Sequence, residues 1–201
     1  MELLDLEMSF EEIKESKLAI AEYFVLPINA DISKFEKQIK KISFPLWIKL
    51  NSWEHKLHLG GVEKAHSLEE LKKKHEAMKK RFSDKKFILQ EDVKGIEIIA
   101  GIKYDKTFGK VVMLGSGGSF AELLKDVEFV ILPCEKQEIE NAIKELKIYP
   151  ILLEKNANIN KLIDLIKSFS QLELEEADLN PIIVNEKDAV IVDARVSLKD
   201  E

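Results

Sequence analysis

The chain has few of the residues that staple, anchor or clamp a protein. Cys134 is the only cysteine among 201 residues, which excludes an intrachain disulfide or a thiolate metal cluster and implies a reducing compartment. Arg81 and Arg195 are the only arginines, so the bidentate forks that grip carboxylates and phosphates are scarce, and lysine carries nearly all the positive charge. No apolar run approaches membrane-spanning length, and Met1–Glu7 lacks the basic start of an export signal; the sequence reads as cytoplasmic, with no membrane partner. Cationic excess is missing too. A formal net charge of −6 argues against nucleic acid as a partner, because phosphate-backbone affinity needs many net cationic contacts. There is no internal repeat, low-complexity tract or flexible interdomain linker.

With 45% hydrophobic and 34% charged residues, the chain has the composition of an ordered globular protein, long enough for one large domain or two small lobes sharing an interface. Ser9 followed by Glu12, with Ile13, Leu18, Ile20 and Ala21 beyond, predicts a capped helix; a second helix is expected over 31–42. Leu46–Leu50 is apolar and β-prone, and the Gly60-Gly61 pair marks a turn. Ser67 caps a helix to about Phe82, whose lysines, with His66 and His75, are expected at the surface. Strands are expected at Phe87–Gln90, Ile96–Ile102, Val111–Leu114 and Phe129–Leu132, with a short amphipathic stretch before the last. Helices follow at Glu135–Lys147 and Ile159–Leu172, then a hairpin of 180–184 and 189–192 around a turn at 185–188. Intermixed strands and helices predict an α+β (mixed α/β) architecture.

Several residues can carry chemistry, each with a plainer alternative. Gly60-Gly61 and Gly115-Ser116-Gly117-Gly118 follow strands, where side-chain-free backbone can approach phosphate; either can equally be a simple turn. Lys49 lies within an apolar strand, so its ammonium either snorkels out or meets an anion. Asp178, Asn180 and Asp193 supply hard oxygen donors of the kind that hold Mg²⁺ between protein and phosphates, or else cap and turn the chain. His55 and His58 lack a third ligand at zinc spacing, whereas an imidazole beside a phosphate-binding turn can act as a nucleophile and carry a phosphoryl group.

These signals run in one order: Lys49, then His55-Lys56 and Gly60-Gly61-Val62, Gln90-Glu91, Glu97, Gly115 to Gly118, Asp178 to Pro181, and Asp193-Ala194-Arg195. That order resembles the β subunit of ADP-forming acetyl-CoA synthetase (acyl-CoA synthetase, NDP-forming), an ATP-grasp domain related to the succinyl-CoA synthetase β subunit. Phe108-Gly109, Val111–Met113, Phe120–Val127 and Tyr149–Leu152 support it, and the similarity covers about Phe44 to Arg195.

The resemblance implies a single ATP-grasp domain over 1–201, its lobes near 20–85 and 86–201 enclosing a nucleotide site. Lys49 would contact phosphate, Gly60 and Gly61 would form a phosphate loop with Gly117 and Gly118 as further nucleotide contacts, and Gln90, Glu91 and Glu97 would bind adenine and ribose. Asn180 and Asp193, with Asp178 beside them, would hold Mg²⁺. His55 would relay a phosphoryl group in acyl-CoA + ADP + phosphate ⇌ acid + CoA + ATP, in a hetero-oligomer with a CoA-binding α subunit. The sequence departs from the family pattern where Leu57 and His58 replace a Ser-Asp pair, where Ile96, Tyr104 and Val130 replace arginines, with Lys103 near one of them, and where Leu153–Asn156 replaces a Gly-x-Arg-Gly segment. Two readings follow: an active divergent subunit, or a catalytically degenerate paralogue that binds nucleotide or a partner. A carboxylate–amine ligase on the same fold would leave His55 unexplained.

Overall fold

The computed structural model describes residues 2–14, 16–54, 56, 59–118 and 125–198. The chain divides into two compact units, one formed by Asp5–Glu7 and Ala21–Asp92, the other by Met1–Leu4, Met8–Ile20 and Val93–Glu201. Both are mixed α and β, as the alternating patterns predicted.

The Ala21–Asp92 unit is a four-stranded antiparallel sheet with strand order β2 (Tyr23–Leu26), β5 (Phe87–Glu91), β3 (Leu46–Leu50), β4 (Val62–Ala65). Alternation along β3 sends Leu46, Ile48 and Leu50 into one buried cluster with Leu89 and Phe87 of β5, and Leu71 and Met78 of helix α3 (Leu68–Arg81) close it. Ser67 caps α3 by accepting from Glu70 N–H at 3.2 Å. The segment expected as one helix over 31–42 is instead a 3₁₀ turn, Ile32–Phe35, running into the short helix α2 (Glu36–Ile39).

His75 is not at the surface as expected. Leu71, His75 and Met78 recur at helical spacing, so the imidazole falls on the buried stripe, 1% exposed and edge-on to the Phe87 ring at 5.4 Å. Its Nε2 has no partner among the described residues, and burial pushes its pKa below the usual histidine value of 6.5. The folded chain therefore binds fewer protons here than the unfolded chain between the lowered value and 6.5, so this contribution to stability is complete above 6.5 and is lost as pH falls through that window. Urea midpoints measured at about pH 7 and about pH 5 should fall on acidification, and His75→Leu should flatten the fall. An unchanged slope in the variant would assign the pH dependence to other groups.

The second unit carries a seven-stranded antiparallel sheet, ordered β1 (Glu2–Leu3), β11 (Ala194–Leu198), β9 (Glu176–Val184), β6 (Ile96–Asp105), β7 (Gly109–Ser116), β8 (Val127–Ile131), with β10 (Ala189–Ile191) also paired to β9. Helices α4 (Lys136–Glu145) and α6 (Ile159–Ser170) pack on each other; α4 lies against β8 and α6 against β10. Leu162, Ile166 and Phe169 give α6 a fully buried stripe. The terminal hairpin forms as expected, Ala189 opposite Val184, because Asn185 Oδ1 accepts from Lys187 and Asp188 N–H at 2.9 and 3.0 Å and so turns the chain.

The first helix, α1, spans Leu6–Lys14 rather than starting at Ser9, which is buried inside it, and Leu18, Ile20 and Ala21 fall beyond its end. Strands β2 and β11 and the short helix α5 (Tyr149–Glu154) were not expected from the sequence. The amphipathic stretch expected before β8 lies largely outside the described residues. Cys134 is buried and its thiol is pushed up by desolvation. No helix among the described residues is long and apolar enough to cross a membrane.

Candidate functional site

In the Ala21–Asp92 unit, Lys49 sits in the central strand opposite Val62 of β4 and Ile88 of β5, on the face away from the apolar cluster, yet only 6% exposed. Neighbouring Trp47 lies opposite Gln90 and Lys64, and its indole N–H donates to Asp92 Oδ1 at 2.8 Å while Lys64 Nζ stands 5.0 Å from its ring centroid. Gln90 is fully buried, and neither its amide nitrogen nor its oxygen has a hydrogen-bond partner among the described residues. Such an orphan amide costs about 1–3 kcal/mol and asks for an explanation. Glu91 is partly committed to structure, its Oε1 accepting from Glu22 N–H at 2.8 Å to hold the start of β2.

The Gly60-Gly61 turn is present. Gly60 has φ +62, and its carbonyl and that of Leu59 accept from the Arg81 guanidinium at 3.4 and 2.7 Å. Gly61 N–H donates to the Lys56 carbonyl, and its own carbonyl accepts from Leu50 N–H, each at 2.7 Å. The turn is thus held by its own backbone and by an arginine that sequence reasoning had counted but given no role. His55, with Leu57 and His58, lies outside the described residues.

In the other unit, the candidate residues lie on the paired strands β6 and β9 and on the segments just after β7 and just before β11. Asn180 N–H donates to the Asp193 carbonyl at 3.1 Å, which places these two oxygen-bearing residues side by side on adjoining segments. On the neighbouring strand β6, Glu97 pairs with Ile183, and its carbonyl accepts from Gly117 N–H at 2.8 Å. Gly117 is required by this approach: a Cβ there would lie 2.8 Å from both the carbonyl carbon and Cβ of Glu97. Gly118 follows with φ +78, passing beside the Glu97 carboxylate.

Asp178 is two residues back along β9, opposite Arg195 of β11. Both line a groove of about 840 Å³ with Lys103, Tyr104, Met113 and Phe129. The structure therefore sets Glu97 beside Gly117 and Gly118, and Asn180 beside Asp193, with Glu97 and Asn180 on the paired strands β6 and β9, while Asp178 lines the groove. No group of three or more His, Cys, Asp or Glu side chains among the described residues could hold a metal by itself. Mg²⁺ commonly takes one or two carboxylates and completes its shell with phosphates and water, so Asn180 and Asp193 suit a cation that arrives with a polyphosphate.

The sequence placed Ser116 in the second glycine turn and Asp126 in a stretch that supports the resemblance, but gave neither side chain a partner. Asp126 is 5% exposed and accepts from Ser116 Oγ and from Lys147 and Ile148 N–H at 2.7 and 3.1 Å. These donors come from distant parts of the chain, so no local pattern announces them.

The family model for the ATP-grasp domain matches residues 26–198. The chain is 37% identical over 186 residues to subunit beta of the ADP-forming acetate–CoA ligase II of Pyrococcus furiosus, covering 81% of this chain and 79% of that one. It is 44% identical over 113 residues to subunit beta of ligase I from the same organism, covering 52% and 49%, so the match spans about half of that relative's length. Among solved structures it is similar to the acetyl-coenzyme A synthetase 1 of Ca. Korarchaeum cryptofilum in complex with coenzyme A and Mg-AMPPCP, with a TM-score of 0.80 and 28% identity over 96% of this chain and 92% of that one. In that structure a phosphohistidine segment points towards the nucleotide-binding site. The chain belongs to the ATP-grasp family, in the group that includes the β subunits of ADP-forming acetate–CoA ligases.

Proposed function

We propose that this chain is the nucleotide-binding β subunit of an ADP-forming acyl-CoA synthetase, working with a CoA-binding α subunit to interconvert acyl-CoA, ADP and phosphate with acid, CoA and ATP. The observation that carries the reading is that Glu97 lies beside Gly117 and Gly118, and Asn180 beside Asp193, with Glu97 and Asn180 on the paired strands β6 and β9. The relatives' names as ADP-forming ligases weigh against the degenerate alternative.

In this reading Asn180 and Asp193, with Asp178 beside them, hold Mg²⁺, which would neutralise charge on the transferring phosphoryl group. Glu97 accepts from the ribose hydroxyls, and Gly117-Gly118 brings backbone close to the nucleotide without an intervening side chain. Lys49 supplies positive charge to the phosphates, and the Gly60-Gly61 turn gives the second close backbone approach. Gln90, whose amide lacks a partner among the described residues, offers the donor and acceptor pair that suits an adenine edge, with Glu91 beside it. The imidazole of His55 receives the phosphoryl group from the α subunit and passes it to ADP, so the phosphorus–nitrogen bond forms and breaks once in each turnover.

The test is to mix the purified chain with a CoA-binding subunit, Mg²⁺, ADP, phosphate and acetyl-CoA, and to follow ATP. ATP should form only in the assembled complex. Tight nucleotide binding without turnover under any pairing would establish the degenerate reading, and absence of nucleotide binding would sink the site assignment.

A further inference from the structure

We propose that Asp126 is a positioning residue for the glycine turn after β7 and, through that turn, for the nucleotide. The inference rests on the nucleotide-binding reading above. Asp126 stands immediately before β8 and its carboxylate accepts three donors: Ser116 Oγ and Ile148 N–H on Oδ2, and Lys147 N–H on Oδ1. Its main-chain carbonyl also accepts Ser116 N–H, at 3.1 Å. One residue therefore holds Ser116 by main chain and side chain together, and ties the end of β7 to the turn that opens α5.

A buried carboxylate is costly unless its lone pairs are filled, and hydrogen bonds to a charged acceptor are stronger than neutral ones. Asp126 meets that condition with two backbone donors and one hydroxyl, which makes it a rigid strut. It is 5% exposed, so its influence runs through what it holds. The residue after Ser116 is Gly117, whose N–H fixes the Glu97 carbonyl, and Gly118 then passes beside the Glu97 carboxylate. A shift of Ser116 displaces Gly117, and with it both the backbone that approaches the nucleotide and the register of Glu97.

Two variants test this at different cost to the fold. Asp126→Asn presents an NH₂ where one of two backbone N–H groups needs an acceptor, whereas Ser116→Ala removes only the hydroxyl and leaves the carboxylate on its backbone donors. Dissociation constants for Mg-ATP are measured by calorimetry well below the unfolding temperature of every variant. The constant should rise about tenfold in Asp126→Asn and about threefold in Ser116→Ala, while Ser116→Thr, which keeps the donor, stays within about twofold of wild type.

Amide exchange at Gly117 should quicken in both weakened variants while the β6–β7 ladder stays protected. Unchanged affinity with a lowered unfolding temperature would overturn the proposal and leave Asp126 a support of the fold alone. If Asp126→Asn does not fold, Ser116→Ala decides. Failure of the wild type to bind Mg-ATP overturns the nucleotide reading itself, a result visible before any variant is compared.

Discussion

Alanine at His55 is expected to cut ATP formation by the assembled complex by about a thousandfold or more, while the Mg-nucleotide dissociation constant stays within about twofold. The asymmetry follows from what the imidazole is asked to do. In the proposed reaction the phosphoryl group crosses from one subunit to the other on a nitrogen nucleophile, and a methyl group cannot form that bond. In the proposed reading, nucleotide binding draws on Lys49, Gly117-Gly118 and the residues assigned to Mg²⁺, none of which the substitution removes. Coupled measurement of ATP formation and calorimetric titration of nucleotide separate the two quantities. Residual turnover within tenfold of wild type would send the phosphoryl group by another route, and a large loss of affinity would make His55 a binding residue. The sequence gives a reason to make this measurement first: Leu57 and His58 occupy the places where the resembled family pattern has serine and aspartate, so the aspartate of that pattern is not in this sequence.

Asp193→Ala should show the other pattern, with binding and turnover lost together and Mg-nucleotide affinity weakened about a hundredfold. Polyphosphate and protein carboxylates repel each other unless a cation stands between them, so if Asp193 holds Mg²⁺ as proposed, its loss weakens the metal and the nucleotide as a unit. The substitution keeps the backbone bonds that tie this segment to β9, Asn180 N–H to the Asp193 carbonyl and Val192 N–H to the Pro181 carbonyl. A second arm uses chelation. Removing Mg²⁺ from the wild type should reproduce the loss, and removing it from Asp193→Ala should add little, since effects acting through one intermediary do not sum. Independent, additive losses would mean that Asp193 serves the nucleotide without the metal.

Local rules were enough for much of the fold. Leu46–Leu50 announced itself by apolar β-prone residues between turn signals, α3 by Ser67, and the last hairpin by Asn185 and its polar neighbours. Strand β2 did not, because Tyr23–Leu26 is a short apolar run that only pairing with β5 turns into a strand. Helix α5 hid behind Pro150, which reads as a break but is tolerated in a first turn where no N–H partner is needed. His75 was misjudged because lysines around it suggested a wet face, while its spacing from Leu71 and Met78 pointed inward.

The candidate site was legible to the extent that chemistry sits in residue types. Lysine, glycine pairs, and Asp-x-Asn near a second aspartate can be picked out one by one, and resemblance supplied their order. What could not be read was the support beneath them. Arg81 capping the carbonyls of Leu59 and Gly60, and Asp126 holding Ser116, depend on side chains meeting groups 10 to 22 positions away. Such contacts follow from the fold and leave no periodic trace.

The pairing of Glu2 with Leu198 has a consequence for how the molecule is made. On a ribosome, the first strand emerges long before the strand it will join, and cannot be seated until Leu198 has cleared the exit tunnel. All four strands of the smaller sheet, by contrast, are encoded between Ala21 and Asp92 and can emerge while the rest is still being synthesised. Synthesis therefore exposes every strand of the smaller sheet before it exposes the partner of β1.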